Sequence, residues 1–307
     1  MPALAAIIVL AGCNSTDSVS PDNSLPLTTG DSPTAAPTAP IADPSFSTSF
    51  AGGIPIGTFE QPTTTFGSRY NGAKENIAPS SLVSALSAIR SRGGKVVLMF
   101  AGSERYYKDA SGHFSLTKWK ERVNRYRNVN FSSYVSDGTV IGHYMIDEPH
   151  DPYNWSGEPV SPSTLEEMAK YSKSIWPNMP TVVREAPHYL ATWSGTYHYL
   201  DAAWAQYLSR MGNPSDYIRY NVSEAQKKGL ALIVGLNFMK GGNPNGTTMN
   251  ATEVENFGSA LLSSSYPCAF ISYQYNSTYL SNTGIKSAMD VLRRKAENRS
   301  TRTCRGS

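Results

Sequence analysis

The chain has 307 residues, of which 40% are hydrophobic and 17% charged, an ordinary globular composition with too little charge for a disordered chain. Its formal net charge of +3 is too small to indicate nucleic acid as a partner. The densest basic run, Arg293-Arg294-Lys295, falls near the end of a predicted helix, where positive charge suits the helix dipole. The 18 Tyr and 5 Trp offer apolar faces with polar edges, which suit sugar rings as well as ordinary cores.

The N-terminus carries an apolar run, Ala3 to Leu10. It is too short to span a bilayer but has the length of a signal-peptide hydrophobic region. Leu10-Ala11-Gly12-Cys13 resembles the lipobox of bacterial lipoproteins, although no Lys or Arg precedes the run. The resemblance implies a signal peptide over residues 1–12, lipidation of Cys13, and an extracytoplasmic protein held by a lipid anchor at a bacterial cell membrane. A chance cysteine after an apolar start is the alternative. Residues 13–49 are rich in Ser, Thr, Pro, Ala and Asp and cannot bury enough surface to offset ordering entropy, so they read as a disordered tether.

From residue 50 to 307 short apolar runs alternate with helical patterns, the sign of βα units around a parallel sheet. Predicted strands are Ile54–Phe59, Lys95–Phe100, Val140–Ile146, Pro180–Arg184, Leu200–Gln206, Leu230–Asn237 and Ala269–Tyr275. Several are nearly continuous apolar runs, as expected of strands covered on both faces. Helices begin at Pro79-Ser80-Ser81, Ser161-Pro162, Asn213-Pro214 and near Thr252, and the last covers Ile285–Glu297. A folded part of about 250 residues suits a (β/α)₈ barrel of the TIM type, and needs neither a metal nor many disulfides for stability. Seven strands are legible where a barrel needs eight, so the missing one lies within Gln61–Ile77 or His188–Tyr199. An open doubly wound sheet is the rival, without a Gly-x-Gly-x-x-Gly turn to support it. A helix returning antiparallel to a strand brings Cys304 back toward Cys268, which makes a disulfide one reading of these two cysteines and free thiols the other.

In a parallel barrel the reacting groups collect just past the C-terminal ends of the strands. Four of the seven predicted strands end in acid: Glu60, Glu104, Asp147-Glu148 and Glu185; the others end in Gln206, Asn237 and Gln274-Tyr275. The sharpest signal is Gly142-His143-Tyr144-Met145-Ile146-Asp147-Glu148-Pro149, because adjacent carboxylates at the end of a buried strand need pairing or a cleft, and Pro149 cannot extend the ladder.

This segment resembles the strand-end Asn-Glu-Pro or Asp-Glu-Pro of (β/α)₈ glycoside hydrolases. The resemblance implies that Glu148 protonates the leaving glycosidic oxygen, its pKa raised by burial and by Asp147. A second carboxylate must act on the other face of the sugar. The common retaining pattern places that acid on a late strand, but here those strands end in Asn237 and Gln274. Glu185 is the first substitute, followed by Asp201 and Glu60. Tyr144, Trp204, Gln206, Asn237, Tyr273 and Gln274 complete the expected substrate site, the aromatics stacking on sugars and the amides bonding hydroxyls. In the alternative, Asp147 caps a turn and Glu148 pairs with Arg184 as a structural bridge.

A metal site is the chemical rival. His143, Asp147, Glu148 and His150 carry suitable donors, but His143 and Asp147 are about 13 Å apart along a strand. Gly-x-Ser-x-Gly and a phosphate loop are absent from the sequence. The expectation is therefore a monomeric enzyme without a cofactor, acting on an oligo- or polysaccharide. A non-catalytic glycan-binding lipoprotein on the same scaffold is the rival of another class.

Overall fold

The computed structural model describes residues 52–307. The expected signal peptide, the Cys13 lipidation site and nearly all of the tether lie outside them. Eight strands, β1 Ile56–Phe59, β2 Gly72–Glu75, β3 Lys95–Met99, β4 Val140–Asp147, β5 Thr181–Arg184, β6 Ala202–Tyr207, β7 Ala231–Leu236 and β8 Ala269–Ser272, close in sequence order into one barrel. Every pairing is parallel, including β8 with β1. The molecule is a TIM barrel.

The strand missing from the sequence reading is β2, inside Gln61–Ile77. Gly72-Ala73-Lys74-Glu75 shows no apolar run because each position answers another need. A Cβ on Gly72 would come 2.9 Å from the Pro55 side chain, and one on Gly57 would lie 1.7 Å from the Gly72 carbonyl oxygen. The first two strands therefore approach at glycines. Lys74 is buried, with its ammonium over the rings of Phe59 and Tyr144.

Nine helices are described: α1 Leu82–Ser91, α2 Leu116–Asn124, α3 Ser132–Ser136, α4 Pro162–Ile175, α5 Pro187–Leu190, α6 Pro214–Lys227, α7 Ala251–Leu262, α8 Ser277–Ser281 and α9 Thr283–Glu297. Ser161 and Asn213 cap α4 and α6 through their side-chain oxygens, each followed by a proline at the first helical position. The cap of α7 is Asn250 rather than Thr252; it forms a reciprocal capping box with Glu253, so the helix starts earlier than expected. The sequence reading passed over α2, which buries only Trp119 and Val123 and so shows a faint apolar stripe.

One apolar layer lies between the sheet and the helices and holds Leu86, Val96, Met168, Ile218 and Leu292. A second fills the barrel, with Phe59, Val97, Tyr144, Val182, Trp204, Ile233 and Ile271. Cys304 joins this inner layer and is disulfide-bonded to Cys268, their Cα atoms 5.3 Å apart. The C-terminal segment thereby crosses the N-terminal end of the barrel, where Ser307 N–H donates to the Gly229 carbonyl at 2.9 Å. The opposite end is left for function.

Candidate active site

The rim at the C-terminal ends of the strands is organised around Arg184, the last residue of β5 and the register partner of Asp147. Its guanidinium contacts Asp147, lies 2.9 Å from Glu148 Oε1, and donates to Gln206 Oε1 at 2.6 Å. Gln206 is itself oriented, donating to the Leu236 carbonyl at 3.1 Å. One buried cation thus serves two carboxylates and an amide in a fork geometry that a lysine could not supply. The Arg184 side chain is 12% exposed, whereas those of Asp147 and Glu148 are 31% and 36% exposed. The carboxyls therefore face solvent while the cation lies beneath them.

Glu148 has φ of 37°, in the left-handed region that side chains rarely adopt. Neighbours hold it there. Its N–H donates to the Arg184 carbonyl at 3.1 Å, and its carbonyl accepts from Asp151 N–H and Trp155 Nε1, both at 3.1 Å. Glu60, at the end of β1, has φ of 55°. Positive φ at two strand-end acids on one rim marks places where the fold sustains local strain.

Arg184 is the strongest electrostatic influence on Glu148 and favours its carboxylate, but burial and the Asp147 charge turn the net shift of its pKa upward. Glu104, just after β3, is pushed up to about 7, chiefly by burial and then by the charge of Asp147. Glu75 is pushed up to about 8, again chiefly by burial. Burial lifts the Tyr107 and Tyr144 hydroxyls well above the usual tyrosine range.

Of the residues expected from sequence, Asp147, Glu148, Tyr144 and Gln206 come together around Arg184. Tyr144, 1% exposed, lies in the filled interior beneath the carboxyls and so, against expectation, offers no ring face for a sugar to stack on. Glu60 stands on the same rim with its side chain 60% exposed and bonded to Lys74 at 2.8 Å. Asn237 and Tyr273 are bridged across the ends of β7 and β8, and the Tyr273–Gln274 peptide is cis. Asn237 Oδ1 accepts from Lys240 N–H at 3.0 Å, while Tyr273 and Gln274 are half-buried.

Three further expectations need correction. Asp201 precedes β6 and so lies at the opposite end of the barrel, paired with Lys173 at 2.5 Å and accepting from Thr181 N–H at 2.8 Å. Trp204 is 1% exposed, packed against Phe59 and Tyr144 inside the barrel, and presents no face to a sugar. Glu185 stands on the rim but is buried, accepting from Ala186 N–H at 2.8 Å and lying 2.5 Å from His150 Nδ1. It holds a histidine in place rather than facing a substrate.

The metal alternative loses its donors to other partners. His143 is buried on the outer side of β4, its Nδ1 2.8 Å from Ser172 Oγ, and burial lowers its pKa to about 3. Among the described residues no group of three or more His, Cys, Asp or Glu is placed to hold a metal ion.

Sequence reasoning missed Lys74, because β2 was not recognised, and named Arg184 only as a structural partner. Its adjacency to Glu185 at a strand end was the available signal.

No protein-family model matches the chain, and a search of curated proteins finds no match. Solved structures do share its fold. An endoglucanase, Cel5A from Pseudomonas stutzeri, superposes with a TM-score of 0.51 at 12% identity, over 78% of this chain and 85% of that one. A provisionally named glycoside hydrolase from Parabacteroides distasonis gives 0.53 at 10% identity, over 82% and 95%. A provisionally named α-L-fucosidase from Bacteroides thetaiotaomicron gives 0.50 at 14% identity, over 80% and 94%. At such identities the likeness establishes the architecture, a parallel (β/α)₈ barrel of a shape found among glycoside hydrolases.

Proposed function

We propose that this protein hydrolyses glycosidic bonds of an oligo- or polysaccharide, with Glu148 as the acid/base carboxyl at the centre of the site. The observation that carries the proposal is the Asp147–Glu148 pair on the C-terminal rim of a closed parallel barrel. Both carboxyls face solvent, and both are held from below by one buried guanidinium. Water attack on an acetal carbon needs proton transfer at two oxygens, and a solvent-facing carboxyl held in place, as Glu148 is, supplies one of them. Glycoside hydrolases among the structures sharing this fold are consistent with it. The same proposal places the enzyme outside the cytoplasm as a monomer, attached to a membrane through a lipid on Cys13.

One observation favours a second reading, a glycan-binding protein without turnover. Glu148 is engaged by Arg184, as a structural bridge would be. Screening residues 50–307 against a panel of polysaccharides, with Glu148→Gln alongside, separates the two. The hydrolase reading expects release of reducing ends by the wild-type protein and none by the variant, which keeps its fold and glycan affinity. Turnover by Glu148→Gln at the wild-type rate would overturn the role of Glu148, and glycan binding without any turnover would establish the binder.

A further inference from the structure

Displacement at a sugar carbon needs a second carboxyl opposite in duty to Glu148, and neither Glu185 nor Asp201 is placed to serve. Glu104 is. It follows β3 on the same rim and opens a short 3₁₀ turn over Glu104–Tyr107. The loop after Glu148 reaches across to this turn: Lys108, which closes it, donates from Nζ to Asn154 Oδ1 at 3.0 Å. The next residue, Trp155, donates to the Glu148 carbonyl and lies under the Lys108 ammonium, 5.2 Å from the ring centroid. The turn that Glu104 opens and the backbone of Glu148 are thus tied through one loop. Beside them Tyr107 is fully buried, with a hydroxyl that has no hydrogen-bond partner among the described residues, a polar atom suited to meeting a ligand or its water.

We infer that Glu104 is the second catalytic carboxyl, donating the proton to the leaving glycosidic oxygen while Glu148 acts as the base; the inference rests on the hydrolase reading above. The Glu104 O–H bond breaks as its proton moves to the glycosidic oxygen, whose bond to the anomeric carbon breaks in the same step. A water oxygen forms the new bond to that carbon and gives a proton to Glu148. Solvent then takes the proton from Glu148 and returns one to Glu104. This reverses the duty that the strand-end motif implies for Glu148, and the charges agree. Arg184 offers its donors to Asp147 and Glu148, leaving that trio with one excess negative charge. Burial first, and then the charge of Asp147, raise the Glu104 pKa to about 7 against the nearby Lys108 cation, so it keeps a proton at mildly acid pH.

The test compares wild type, Glu104→Gln and Glu148→Gln on the polysaccharide that the wild type cleaves and on a dinitrophenyl glycoside of the sugar released. That leaving group departs without protonation. Glu104→Gln is expected to lose about 100-fold or more in kcat on the polysaccharide, to retain hydrolysis of the activated glycoside, and to lose the alkaline limb of the pH profile. Glu148→Gln is expected to lose both substrates. Carbon-13 NMR of the glutamate carboxyls supplies a readout independent of turnover: one resonance, absent from Glu104→Gln, titrates near 7 and moves down in Asp147→Asn. Wild-type cleavage with undiminished cleavage by Glu104→Gln overturns the inference alone, as does an ordinary titration of Glu104. A wild-type protein that cleaves no glycan overturns the hydrolase reading and this inference with it.

Discussion

His150 Nδ1 lies 2.5 Å from Glu185 Oε2, which fixes the imidazole on the rim. The histidine comes from the loop after β4 and the acid from the end of β5, so this contact ties the strand bearing Glu148 to the strand bearing Arg184.

Burial opposes charge on the His150 ring, but the hydrogen bond and charge of Glu185, with Glu148 and Asp151 behind them, hold its pKa above the ordinary value. A histidine raised in this way contributes stability that is complete below its unfolded pKa of about 6.5 and fades as pH rises through the folded value. Glu185→Gln removes the contribution. Urea unfolding is expected to show the variant losing about 1 kcal/mol more near pH 5 than near pH 9. A gap between the two proteins that is independent of pH would contradict the linkage.

Arg184→Met leaves Asp147 and Glu148 without their shared donor and Gln206 without the group it orients. Discounted for the partial exposure of both acids, the cost is expected at about 2–3 kcal/mol in chemical denaturation. The Glu148 pKa should rise further, because the largest influence lowering it is gone. Arg184→Lys restores the charge but not the fork, and should recover only part of the stability.

Glu75 has a buried Oε1 without a hydrogen-bond partner and a pKa pushed up to about 8. An acid whose folded pKa exceeds its unfolded value favours the folded state only while protonated, so its destabilising effect grows as pH rises from about 4.3 toward 8. Glu75→Gln is expected to unfold at higher urea than wild type at pH 8, by about 2 kcal/mol, with the difference closing near pH 4. Equal midpoints at both pH values would contradict the burial of this charge.

The Cys268–Cys304 bridge spans 36 positions of sequence and lies at the end of the barrel away from Glu148. Replacing both cysteines by serine should cost about 3–4 kcal/mol in unfolding free energy. It should leave kcat on any cleaved glycan unchanged at temperatures where the variant is folded. A thermal melt with and without reductant checks the first expectation, and initial rates check the second.

Seven strands were legible because each presents an apolar run of the length a doubly covered strand needs. β2 was hidden because glycines and an inward lysine, chosen for close approach and charge, carry no apolar signal. The strand-end rule found Glu60, Glu104, Asp147, Glu148 and Glu185 by position. Asp201 lay outside that rule, at the start of the predicted fifth strand, and was named only as a substitute for the missing late acid; the structure keeps it before β6, on the opposite rim.

By itself the sequence determined the alternation that closes the barrel and put Asp147-Glu148-Pro149 at the mouth, since periodicity reports burial and strand ends report which rim a residue occupies. Only the tertiary structure decided that Arg184 lies under both carboxyls, that Glu185 turns to His150, and that the loop after Glu148 meets the turn after β3 where Lys108 bonds Asn154. Those pairings join residues 35 to 46 positions apart. They depend on barrel register and on competition between partners, neither of which a local pattern encodes.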